Sequence, residues 1–99
     1  MKIFDLKKME FDENRDKNVF YHVEEFKTRI IVLPSGGEIP PCEMASYVIF
    51  YVIEGTAEAT INKEKILISE GHCLITEPTT LSMRTKSGVK LLGVQITKR

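Results

Sequence analysis

The side chains best suited to chemistry in this 99-residue sequence are sulfurs. Cys42 and Met44 stand two positions apart. In an extended strand, residues i and i+2 share a face, so a thiol and a thioether would point the same way. That pair suits soft ions such as Cu(I). The plainer reading is apolar lining, because both residues pack well in cores. A nucleophilic Cys42 would need a base or a positive charge to stabilise its thiolate. Its neighbour Glu43 carries the wrong charge and falls on the opposite face of a strand. The second thiol, Cys73, could approach Cys42 inside a barrel, a pairing that spacing alone leaves open.

His22 and His72 are far apart and show no metal-ligand spacing. His72 falls in a turn and His22 beside Glu24 and Glu25, where exposed imidazoles need no further task. Glu54, Glu58, Glu70 and Glu77 lie at turns or on polar strand faces. Glu77, Arg84 and Tyr51 are the further polar residues that could border a pocket.

Strands must position these groups. Val19–Val23 and Phe26–Leu33 read as the first two, ended by Pro34-Ser35-Gly36-Gly37. In the second, Lys27 and Arg29 alternate with Phe26, Thr28 and Ile30. Pro40-Pro41 forces an extended approach to Tyr47–Ile53, which is dense in β-branched and aromatic residues and apolar on both faces. Glu54-Gly55-Thr56 reads as a hairpin turn into Ala57–Ile61, and Asn62-Lys63-Glu64 as another into Lys65–Ile68. Cys73–Thr76, Leu81–Lys86 and Val89–Thr97 complete the set, the last two split at Ser87-Gly88. Short strands at near-regular spacing predict an all-β antiparallel sandwich or barrel.

Two segments resemble the motifs of the cupin family. Pro40-Pro41-Cys42-Glu43-Met44 followed by Tyr47-Val48-Ile49-Phe50-Tyr51-Val52-Ile53-Glu54-Gly55 is similar to the first motif, which carries His-x-His, a glutamate and an apolar strand ending in Glu-Gly. Glu70-Gly71-His72-Cys73-Leu74-Ile75-Thr76-Glu77-Pro78 through Ser82 is similar to the second. The likeness runs from Leu33 to the C-terminus and implies a cupin-type jelly-roll, or double-stranded β-helix, barrel. Counted back from Gly55, the family's two histidine positions fall on Cys42 and Met44 and its glutamate on Val48. Counted forward from Gly71, the third histidine falls on Ser82. The resemblance implies a metal held by three imidazoles and one carboxylate, and here none of the four is present. Cys42, Met44, Val48, Phe50 and Val52 share one parity. If the strand is continuous, they face the barrel interior, so the expected ligand pocket is Cys42, Met44, Val48, Phe50 and Ser82. Met83, one residue from Ser82, would supply a further sulfur on a one-residue shift.

Composition bounds the rest. Fourteen basic and fourteen acidic side chains cancel, which excludes the basic surplus of a nucleic-acid binder or a polybasic membrane module. Two cysteines are too few for a disulfide scaffold, and charges interrupt the apolar residues of the first segment, so a cytoplasmic protein with free thiols is expected. Residues 1–17 read as an amino-terminal arm with one helical turn at most, and 18–99 as a single barrel domain. The two-sided apolar strand needs a cover, and since the family resemblance implies dimers through sheet packing, a homodimer is expected. Three functions stand side by side. The first is a small-molecule-binding barrel without the usual metal centre and without a cofactor. The second is an oxygenase- or isomerase-type enzyme using a soft metal, Cu(I) or zinc, through Cys42 and Met44. The third is a structural or interaction barrel with a filled core.

Overall fold

A computed structural model describes residues 1–10 and 18–97. Among these residues are eight strands: β1 (Val19–His22), β2 (Phe26–Leu33), β3 (Glu38–Glu43), β4 (Tyr47–Ile61), β5 (Glu64–Ser69), β6 (Cys73–Thr76), β7 (Thr80–Arg84) and β8 (Val89–Ile96). They form one curled antiparallel sheet in the order β1-β2-β8-β4-β7-β3, with β5 and β6 also pairing with β4. This is the all-β jelly-roll barrel that the motif likeness implies.

β4 holds the barrel together because it belongs to both walls. Its first half, from Tyr47 to Gly55, pairs with β8 and β6; its second half, from Thr56 to Ile61, pairs with β5 and β7. The expected hairpin turn at Glu54-Gly55-Thr56 is therefore corrected: one 15-residue strand runs through it and turns a corner. A register shift between Val52 and Glu54 supplies a bulge, which bends and twists the strand. Gly55 then takes φ +87°, where a Cβ would overlap the Gly88 carbonyl oxygen. The true hairpin follows at Asn62-Lys63, which joins Ile61 to Glu64 with φ of 49° and 74° at its two central residues. Two consecutive positive φ values give a primed turn, whose twist matches that of the flanking strands.

The approach through Pro40-Pro41 is itself a strand. Among the described residues, β3 pairs with β7 alone and lies at the end of the sheet. The prolines fall in its irregular stretch, between the paired residues Ile39 and Cys42. Proline lacks an N–H donor and is tolerated at such an edge.

The core is the inner face of both walls: Val48, Phe50, Val52, Ala57, Ala59, Ile68, Leu81, Met83, Val89 and Leu91. The other face of β4 is only partly covered. Ile53 is buried, whereas Tyr47 and Tyr51 stay exposed. Of the expected arm, residues 11–17 lie outside the described residues. In 1–10, the Lys8 amide donates to the Asp5 carbonyl (3.2 Å), closing a single turn. Ile3, Phe4 and Leu6 share a groove with Tyr51 and Ile53. Lys90 Nζ donates to the Lys7 carbonyl (2.8 Å), and the Phe4 ring lies 4.7 Å from that of Phe20.

Candidate functional site

Between the walls lies a cavity of about 420 Å³, bounded by residues of β2, β3, β4, β7 and β8. Cys42, Met44, Val48 and Phe50 all line it. They reach it from two strands and the bend between them, not along one continuous strand face. β3 lies on the wall shared with β7, and the first half of β4 on the wall shared with β8. The Met44 amide donates to the Thr79 carbonyl (2.9 Å), fixing the chain as it leaves β3. The sulfurs of Cys42 and Met44 lie 3.6 Å apart. Cys42 is exposed at the rim, while Val48 and Phe50 form the buried floor.

Ser82 is not among the lining residues. Leu81 and Met83 are buried in the core, so alternation along β7 turns Ser82 to the outer face, opposite Thr60. The Ser82 position is thus corrected to Leu81, which pairs with Cys42 and lines the cavity. A one-residue slip in register moves every side chain to the other face. Cys73 lies across from Tyr51, on the outward parity of β6, with both residues exposed. It is therefore on the far side of the sheet from Cys42, and the two thiols do not meet.

Other candidates disperse. Arg84 pairs with Glu58 on the outer face (3.0 Å). Tyr51 borders the arm groove, and Glu77 a separate groove of about 530 Å³ by Ile66, Leu74 and Thr76. His72 Nδ1 accepts from the Ser69 amide (3.0 Å), and the His72 carbonyl accepts from Val52. That imidazole closes a turn. His22 ends β1 and is exposed.

Four polar lining residues escape the motif reading: Asn18, Arg29 of β2, Glu38 of β3 and Gln95 of β8. The register of β2 on β8 sets Lys27, Arg29, Ile31 and Leu33 against Gln95, Gly93, Leu91 and Val89. Leu91 and Val89 are core residues, so this is the inner face and the charged residues of β2 share it. Gly93 makes room for them: a Cβ there would meet Ile31 Cδ1 at 3.1 Å, Arg29 Cγ at 3.4 Å and Phe50 Cε1 at 3.5 Å. Arg29 shares its strand face with Ile31 and Leu33, a placement that only the pairing of β2 with β8 reveals.

Among the described residues, no three of His, Cys, Asp or Glu gather into a group able to hold a metal ion. The lining itself does not fit the metal that the resemblance implies. Val48, Phe50 and Leu81 offer no donor atom, and Arg29 brings a positive charge to the same space.

No family model and no curated protein matches this sequence. Solved structures do match. The cupin domain of Schizosaccharomyces pombe Cnp3 superposes with a TM-score of 0.74 at 20% identity, over 81% of this chain and 61% of that one. A cupin superfamily protein from Desulfitobacterium hafniense DCB-2 gives 0.77 at 14% identity, over 81% and 74%. A salicylate 1,2-dioxygenase from Pseudoaminobacter salicylatoxidans, solved with gentisate, gives 0.69 at 16% identity, over 73% of this chain but 20% of that one. The chain thus spans about three fifths of the Cnp3 domain structure and a fifth of the dioxygenase. At these identities the likeness is one of architecture. The strand order, the shared strand β4 and these superpositions together establish that the chain has the cupin fold.

Proposed function

We propose that this barrel binds a small organic molecule in the cavity between its walls, without the metal centre common in its fold. The observation that carries the reading is the lining: Cys42, Met44, Val48, Phe50 and Leu81 converge on about 420 Å³. Ligand sites are typically concave, mostly apolar and a few hundred cubic ångströms in volume. Such a volume favours binding over the reading of a filled, purely structural core. The activity of the dioxygenase is not carried over, because a shared barrel hosts unrelated chemistries and the likeness covers 20% of that chain at 16% identity.

The test is elemental analysis of protein purified without oxygen. Substoichiometric metal is expected, unchanged in Cys42→Ala. One metal per chain, lost in Cys42→Ala, would overturn the reading. It would favour the soft-metal enzyme, for which the 3.6 Å approach of the Cys42 and Met44 sulfurs is the supporting observation. That alternative predicts a large rise in Tm with Cu(I) or Zn(II), since a ligand of the native state stabilises it by mass action.

Two further parts of the proposal concern setting. A homodimer through the outer face of the β8-β4-β6 wall would cover Tyr47, Tyr51 and Ile75, which are exposed in the single chain. A cytoplasmic location suits the two free thiols. No helix among the described residues is long and apolar enough to cross a membrane.

A further inference from the structure

Arg29 is a charged side chain on the inner face of a barrel whose floor is apolar. It stands in the row Arg29, Gly93, Phe50, read across β2, β8 and β4. Gln95 lies two residues along β8 from Gly93 and faces inward as well, which makes it the diagonal neighbour of Arg29. Neither side chain has a hydrogen-bond or ion-pair partner among the described residues. Buried or half-buried guanidinium and amide groups are normally satisfied, and those that are not mark a place for a ligand or water. Two other charges stand near. Lys27 shares the inner face of β2 and adds positive charge beyond Arg29. Glu38 also lines the cavity, where it lies opposite Arg84 in register, and it forms no ion pair with Arg29.

Resting on the reading of this cavity as a ligand site, we infer that its ligand is a monocarboxylate with an apolar body. The guanidinium of Arg29 would take the carboxylate, and Gln95 would donate a further hydrogen bond from its amide. The body would lie against Val48, Phe50 and Leu81. A planar guanidinium matches a carboxylate with two parallel N–H···O bonds. Of the charged side chains that line the cavity, Arg29 is the cation and Glu38 the anion, so a second carboxylate on the ligand would add uncompensated negative charge. Gly93 belongs to the same device, since a side chain there would press on the stem of Arg29 and on the Phe50 ring.

Calorimetric titration of the full chain with octanoate and with octan-1-ol tests the inference on the native protein, Arg29→Gln and Arg29→Lys. Octanoate is expected to bind the native protein about tenfold or more tightly than octan-1-ol, the contribution of a charge-assisted hydrogen-bond pair. Arg29→Gln should bring octanoate down to the level of octan-1-ol. Arg29→Lys, which keeps the charge and loses the fork, should fall between them, with octan-1-ol binding preserved in both variants. Equal affinities for the two compounds in the native protein, or a carboxylate preference that survives Arg29→Gln, would overturn the inference and leave the cavity a ligand site. Binding of neither compound would overturn the reading of the cavity itself.

Discussion

Leu91 and Thr76 both turn into the barrel, and their substitution should move stability in opposite directions. Leu91 is fully buried in the core, so Leu91→Ala removes packing and leaves a void, a loss of about 2–5 kcal/mol. The Thr76 hydroxyl is buried with no partner among the described residues. Thr76→Val removes an unsatisfied group at nearly constant volume and should stabilise the fold by about 1 kcal/mol. Cys42→Ala, at the exposed rim, should change stability by less than about 0.5 kcal/mol. Urea denaturation of the three variants checks all of these values; a Cys42→Ala loss as large as that of Leu91→Ala would make Cys42 a core residue. At this scale the motif spacing was informative where side-chain parity survives the chain's bends. Cys42, Met44, Val48 and Phe50 do reach one cavity. Ser82 does not, because counting forward from Gly71 passes through the Glu77–Thr79 connection, whose conformation decides which parity of β7 turns in. Arg29 was hidden for a related reason: β2 carries charged and apolar residues on its inner face and apolar ones on both, so periodicity cannot say which face is interior.

The corner of β4 and the hairpin after it use positive φ in different ways, and substitution separates them. Gly55 and Gly71 have nearly the same φ, +87° and +86°, but only at Gly55 does the surrounding backbone occupy the space of a Cβ. Gly71→Ala should therefore cost about 1–2 kcal/mol, the ordinary penalty of a left-handed backbone. Gly55→Ala should cost clearly more, since the Gly88 carbonyl, to which the Thr56 amide donates, must also shift. Thermal denaturation of both variants should show the larger fall in Tm for Gly55→Ala; equal falls would refute a packed corner. Lys63, at φ 74° in the primed turn, is an ordinary residue in a glycine position. Lys63→Gly should stabilise the hairpin by up to about 1 kcal/mol. These elements also mark where strand reading from sequence succeeds. β2 is legible to its ends because Pro34-Ser35-Gly36-Gly37 can only break it. Glu54-Gly55-Thr56 has the composition of a turn, yet glycine at positive φ serves a bulged corner equally well. Pro40-Pro41 argues against a central strand, and β3 is consistent with that by lying at the edge.

At the scale of the molecule, the outer face of the β8-β4-β6 wall is only partly covered. The amino-terminal residues share a groove with Ile53 and Tyr51, while Tyr47 and Ile75 remain exposed on the same outer face. If a second copy covers that face, sedimentation of the native chain should give twice the monomer mass, and Ile75→Lys should give the monomer with its unfolding cooperativity intact. A native monomer at all concentrations would contradict the proposed dimer. The central claim is about the interior: of three concavities of similar volume, the one between the walls is the ligand site. The arm groove and the β5–β6 groove, at about 510 and 530 Å³, are as large as the barrel cavity, so volume does not choose among them. The choice rests on the convergence of an apolar floor with Arg29 and Gln95. The most direct measurement is a backbone and side-chain NMR titration with octanoate. Shifts concentrated at Arg29, Val48, Phe50, Leu81 and Gln95 are the predicted result; shifts confined to Ile3–Leu6 and Tyr51, or to Ile66, Thr76 and Glu77, would contradict it.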